Sequence, residues 1–209
     1  HGTSGVKAAL ATVRGEIIAF ETKDSGLIFT PGGGVEQDPD QWWDAVVETT
    51  RRLVGQNLVP AESIAAVCCS STFSSTVVVG ADGRPLMNAL TWMDSRGAPV
   101  VRDAMRGIIN INGYALTKML RWVRLTGGGP GLSGKADLGH TLFVRERLPE
   151  IYGKTHKFLG SKDYLNFKLT GIYAASQDSI TLFWLTDNRD IGNVRYDRRL
   201  MRALRLDPE

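Results

Sequence analysis

The stretch "HGTSGVKAALATVRGEIIAF", residues 1–20, decides how the rest of the chain is read. Two apolar runs between Val6 and Phe20 are divided by Arg14-Gly15, the pattern of a β-hairpin. Ahead of the hairpin, Gly2 and Gly5 permit a tight turn, Thr3 and Ser4 bring hydroxyls and backbone N–H groups, and Lys7 adds a positive charge. Between two strands, a turn of that composition can form an anion-binding nest for phosphate oxygens. Alone the stretch is short, and an ordinary hairpin turn accounts for it too.

Composition narrows the setting. With 209 residues, 43% apolar and 22% charged, the chain has globular usage and length for one large domain or two small ones. Its net charge of +3 comes without a Lys/Arg stripe interleaved with aromatics, so nucleic acid is not an expected partner. The arginines at 189, 195, 198, 199, 202 and 205 read as a solvated helix face. Cys68 and Cys69 are adjacent and would point to opposite faces of a strand, so a disulfide between them is not expected, and no metal-ligand spacing appears. No apolar run nears the ~20 residues of a membrane span. Neither a membrane nor a secretory signal is expected, and a cytoplasmic setting follows.

Outward from the hairpin, "DPDQWWDAVVETTRRLVGQ" predicts a helix with Asp38 as N-cap, Pro39 in first position and Gln41 where a capping box places its acid or amide. Trp43, Val46, Val47, Thr50 and Val54 form its expected core face. "IAAVCCS", 64–70, predicts a strand buried on both faces. "TVVVGADGRPLMNALTW" predicts two strands turning at Asp82-Gly83. Helices are expected over about 97–109, 114–125 (Leu116, Leu120 and Val123 on one face), 139–149, 161–170 and 196–206. In the 161–170 helix, Ser161 reads as N-cap and Gly171 as stop; in the last, Tyr196, Leu200, Met201 and Leu204 point inward. The class is α/β.

A second glycine-rich stretch, "GGGPGLSGKAD" (127–137), carries the G-x-x-x-x-G-K spacing of a P-loop. Its surroundings argue against that role. The preceding "LTKMLRWVRLTG" has helical spacing, Ala136 lacks the Mg²⁺-binding hydroxyl, and Pro130 lacks an N–H. A mobile substrate-side or interdomain loop is expected instead.

Four ordered segments carry a family resemblance: "HGTSGVKAAL", "VEQDPDQWWDAV", "GADGRPLMNALTWMDSR" and "FLGSKDYLNFKLTG". The first is similar to the phosphate hairpin D-x-G-T-[ST]-x-x-[KR] of the FGGY carbohydrate kinases. Trp92, Asp94 and Arg96, and Lys162 to Leu165, are the strongest matches, and members of the xylulose kinase type look nearest. The resemblance implies a ribonuclease-H-like, actin-like domain with a mixed sheet flanked by helices. It makes residues 1–209 an N-terminal, sugar-side domain, with the nucleotide-binding domain and the base Asp lying beyond residue 209.

The activity it implies is ATP-dependent phosphorylation of a sugar or polyol hydroxyl, with Mg²⁺. By resemblance, Thr3, Ser4, Gly5 and Lys7 contact the nucleotide phosphates, and the family's Mg²⁺-helping Asp falls one position before His1. Phe73 and Ser74 stand where xylulose kinases carry Met-His and glycerol kinases Arg-Glu, so both of those specificities are in question. Asp94 reads as an acceptor for sugar hydroxyls or as a helix N-cap or partner of Arg96, and Trp92 as sugar platform or core. Lys162 and Asp163 read as helix-end charges, and His140, where the family often has Lys, as a surface or capping residue. A non-catalytic sugar-binding or regulatory module of the same fold is the rival reading. The sequence leaves the sugar and the oligomeric state open, a homodimer included.

Overall fold

The computed structural model describes residues 1–206. The first ribbon pairs β1 (Gly5–Ala11) antiparallel with β2 (Ile17–Asp24), and Gly15, at φ +86°, sits in the reversal between them. β3 (Ile28–Thr30) and β4 (Gly34–Gln37) lead into α1 (Pro39–Gly55), which packs on the ribbon. β5 (Thr76–Val79), β6 (Ala89–Leu90) and α2 (Ala98–Met105) follow. A small hairpin of β7 (Asn110–Ile111) and β8 (Tyr114–Ala115) precedes α3 (Leu116–Thr126), α4 (Asp137–Arg147) and α5 (Pro149–Tyr152). The chain continues through β9 (Lys157–Gly160), α6 (Ser161–Thr170), α7 (Gln177–Thr181), β10 (Thr186–Asp187), β11 (Arg195–Tyr196) and α8 (Arg198–Ala203).

The main sheet runs in the order β3-β4-β6-β5-β9, and every neighbouring pair is antiparallel. The mixed sheet expected from the resemblance is therefore antiparallel among the described residues. The difference traces to residues 64–70, which are largely exposed and join no ladder rather than forming a strand buried on both faces. Apolar side chains do not make a strand without a neighbouring edge to bond. Here only the end of the segment finds one, where the Ser70 carbonyl accepts from the His1 nitrogen.

β5 is the centre of the molecule. Val77 and Val79 pack on one side with Trp42 of α1 and with Tyr164 and Leu165 of α6. Val78 packs on the other with Phe143 and Val144 of α4. Each such valine contributes about 1.5–3 kcal/mol through burial. A third cluster lies among the helices, around Met105, Trp122, Leu142 and Leu200.

The helix ends follow the sequence more closely than the helix faces. The Asp38 carboxylate accepts from the Asp40 amide at 2.9 Å, Pro39 opens α1, and Gly171 ends α6 at φ +70°. Gly160 takes the N-cap position of α6, freeing Ser161 for another contact. The face α1 buries, however, is Trp42, Ala45, Thr49 and Leu53, one residue earlier than expected. That is a rotation of about 100°. Small residues at 45 and 49 let the helix approach the sheet, and the Thr49 hydroxyl is satisfied by the Ala45 carbonyl at 2.7 Å. On α3, Leu120 and Val123 face solvent while Trp122 and Thr126 turn inward. α8 buries Leu200 and has its arginines in solvent; Leu204, just past its end, is buried, and Tyr196, expected on this helix, lies on β11 and is exposed.

The 127–137 loop follows a helix, not a strand, and it is docked rather than loose. Gly134 (φ +70°) lies backbone against backbone on Gly97, Ala98 and Gly139, where any Cβ would collide with main chain. The Tyr114 hydroxyl donates to the Pro130 carbonyl at 2.9 Å.

Candidate functional site

The turn before β1 closes on itself. Gly2 N–H donates to the Gly5 carbonyl at 2.8 Å and Gly5 N–H to the Gly2 carbonyl at 3.3 Å, which puts Thr3 and Ser4 at the corner. The Thr3 carbonyl accepts from the Gln37 side-chain amide at 2.9 Å, and the Ser4 carbonyl from the Ser25 amide at 3.0 Å. All four carbonyls of the turn are thus tied back into the protein. The amides of Thr3 and Ser4 are left without a partner among the described residues. Donors forward and acceptors back is the polarity an anion requires. Gly5 is there for space, since a Cβ would collide with the Lys23 carbonyl. Ser4 and Lys7 are exposed.

Trp92 reaches this turn from the end of β6. The residue is 42% exposed, and its indole N–H donates to the Thr3 hydroxyl at 3.0 Å. Asp94, two residues on, is 1% exposed and engaged on both oxygens. It accepts from the Val35 amide at 3.1 Å, the Arg96 amide at 3.0 Å and the Arg96 guanidinium at 2.6 Å. Arg96 also donates to Glu36 at 2.6 Å and lies 4.7 Å from the centre of the Phe143 ring. The geometry is that of the Arg96 partner rather than of a carboxylate open to ligand.

Beside the turn lies a pocket of about 330 Å³, walled by residues 69–75, by Asp137, by the start of α6 and by α7. Phe73 is 65% exposed at its edge, and Ser74 is buried with a left-handed φ of +49°. The Ser74 hydroxyl donates to Asp137 at 3.1 Å, and the Thr76 hydroxyl donates to the other oxygen of Asp137 at 2.8 Å. With its proton so placed, the Thr76 oxygen accepts from Nδ1 of His140 at 2.9 Å. Expected at the surface or as a cap, His140 is fully buried on α4. Burial pushes its pKa below the ordinary value despite the carboxylate of Asp137 nearby, so the ring is neutral.

On the opposite wall, the Ser161 hydroxyl donates to Ser71 at 2.9 Å, and the Lys162 ammonium donates to Ser176 and Asp178, each at 2.6 Å. Lys162 is therefore part of the pocket and not merely a helix-end charge. Thr72 N–H donates to the His1 carbonyl at 3.0 Å, so the pocket wall and the turn adjoin through main chain.

The structure thus brings Thr3, Ser4, Gly5 and Trp92 together, with Lys7 on the adjoining strand, and places Phe73 and Ser74 on the neighbouring pocket. Three contributors had no role in the sequence: Gln37, Thr76 and Asp137. Gln37 lies in a quoted motif and Asp137 ends the glycine loop, but their partners are 34 and 63 residues away. Only a buried amide or acid in a non-apolar stretch could have marked them.

A family model described as "FGGY family of carbohydrate kinases, N-terminal domain" matches residues 1–209. A xylulose kinase of Bacillus subtilis (strain 168) is 30% identical over 181 residues, 82% of this chain and 32% of its own length. A gluconokinase of the same organism is 23% identical over 208 residues, 100% of this chain and 37% of its own. The crystal structure of a ligand-bound xylulose kinase from Lactobacillus acidophilus superposes with a TM-score of 0.82 at 26% identity, covering 100% of this chain and 39% of that one. The chain spans about a third of the length of these curated relatives.

Proposed function

We propose that this chain, which belongs to the FGGY family of carbohydrate kinases and has their actin-like fold, forms the sugar-side half of an enzyme that transfers the γ-phosphoryl group of ATP to a hydroxyl of a sugar or polyol. The observation that carries this reading is the turn at Gly2–Gly5, whose carbonyls are all bonded inward while the Thr3 and Ser4 amides stay free.

Phosphoryl transfer depends on positioning and on neutralising charge. The Thr3 and Ser4 amides and the Lys7 ammonium would receive the phosphate oxygens. Trp92, tied to Thr3, offers a ring against which the acceptor lies, and Asp94 holds the Trp92 turn through Arg96 rather than by touching sugar. Phe73 and Ser74 form the wall facing the acceptor. Mg²⁺ bound with the nucleotide would supply charge screening of its phosphates. The adenosine site and the base that takes the hydroxyl proton belong to a second domain outside residues 1–209. A purely regulatory module would have no use for a turn with this polarity beside the pocket, which favours the kinase.

The test is Lys7→Ala in the full-length protein. A fall in kcat of about 10²–10³ is expected for loss of a group stabilising transition-state charge, with sugar binding in a thermal-shift assay unchanged. Unaltered kcat would remove the phosphate role. Purified residues 1–209 are expected to bind sugar without phosphorylating it.

A further inference from the structure

We propose that the pocket beside the turn selects a neutral polyhydroxylated acceptor over a sugar acid, and that Asp137 is the residue that sets this preference. The inference rests on the kinase reading of that pocket and names its substrate class.

The ground is where the protons go. Each hydroxyl has a single proton, and once it is donated the oxygen offers only lone pairs. Ser74 and Thr76 both donate to Asp137. Ser161 donates to Ser71, and Ser71 donates to the Thr72 carbonyl at 3.2 Å. Ser179 donates to Asp163 at 3.2 Å. Of the lining hydroxyls, Ser71, Ser74, Ser161 and Ser179 are thus turned so that their remaining capacity is acceptor capacity. Thr72 and Ser75, bonded to each other at 3.1 Å, keep one proton between them, and Ser70 keeps its own. Ligand hydroxyls meet the first four by donating to them. A carboxylate has no proton to give and would face lone pairs.

Charge points the same way. The pocket is lined by the carboxylates of Asp137 and Asp178 against the one ammonium of Lys162. Two of the three Lys162 protons are already held by Ser176 and Asp178. Asp137 is only 2% exposed, so water screens it poorly and a second anion beside it is disfavoured. Ser74 is held in a left-handed conformation that its surroundings must sustain, with its hydroxyl bonded to Asp137. Asp137 thus fixes both the place of the Ser74 oxygen and the sense of its hydrogen bonding.

The experiment uses the full-length protein and matched neutral and acidic ligands, glucitol with gluconate and xylitol with xylonate, in calorimetric titrations and phosphorylation assays. At least one polyol should bind about tenfold or more tighter than its acid, the scale of one unfavourable charge contact. Asp137→Asn can donate to Ser74 and release its proton toward the ligand, and is expected to shrink that ratio to about threefold or less. Asp178→Asn, on an exposed rim where folding is not at stake, should strengthen binding of the acid about threefold relative to the polyol. Preferential binding or phosphorylation of the acid by the unmodified protein overturns the inference and leaves the kinase reading standing. A ratio unmoved by both substitutions overturns it equally. No binding and no phosphorylation of either class overturns the kinase reading, and the inference with it.

Discussion

Thr3 is held from three sides by atoms of different origin: its carbonyl by Gln37, its hydroxyl by Trp92, and its neighbours by the Gly2–Gly5 pair. The residue types at this turn were legible in the sequence, but glycines, hydroxyls and a lysine in close order also fit an ordinary turn, and it was the order of four motifs that singled this one out. What holds them was not, because Trp92 lies 89 residues from Thr3. Trp92→Phe keeps an aromatic ring, though a smaller one, and removes the indole N–H that bonds Thr3. It should lower kcat/KM about fivefold, one neutral hydrogen bond, with no change in thermal stability beyond about 1 kcal/mol. A variant as active as the parent would show that the Trp92–Thr3 bond does not position the turn. Asp94 shows the reverse case: a carboxylate in a strong motif that reads naturally as a sugar ligand is occupied by Arg96 and the Val35 amide.

Among elements, caps and stops were easier to read than faces. Asp38, Pro39 and Gly171 act locally, so their spacing shows their purpose. The α1 face was misjudged because apolar periodicity counts large side chains, whereas close packing here calls for Ala45 and Thr49. The glycine loop was misjudged for a related reason: abundant glycine reads as freedom, but Gly134 marks contact. Gly134→Ala meets main chain and also a positive φ, while Gly171→Ala meets only the φ, with open space beside it. Gly171→Ala should cost about 1–2 kcal/mol for the left-handed conformation, and Gly134→Ala at least twice that, by urea denaturation of residues 1–209. Equal losses would mean the loop can lift off α2 and α4 at no cost.

Across the whole molecule, the hairpin, the α/β class and the domain type were legible from four ordered motifs. The strand arrangement was not. Residues 64–70 look like sheet core, yet pairing depends on which edges are free, and no single segment records that. Ionisation also acts at this scale. Burial lowers the pKa of His140 from its ordinary 6.5, with Asp137 and Asp94 drawing the proton back and Arg96 opposing it. As pH falls through that value the unfolded chain takes up a proton that the folded cluster refuses, so stability is complete above about pH 6.5 and declines below it. Asp163, whose carboxyl burial pushes upward, acts in the opposite sense further into acid. Comparison with His140→Gln isolates the histidine. The urea midpoint of the parent should fall more steeply between about pH 7.5 and 5.5 than that of the variant, and identical slopes would contradict a buried neutral ring.

Gly97, Gly134 and Gly139 come from three different segments and touch through main chain alone. Elsewhere in a core, an enlarged side chain can be accommodated by trimming its neighbour, so sequences drift along compensating pairs. Here the obstacle to each added methyl is a carbonyl or amide that no substitution shortens. The three positions are therefore closed to exchange one at a time and together, and the route from the glycine loop into α4, with Asp137 at its head, is held by a constraint that evolution can keep or abandon but cannot renegotiate.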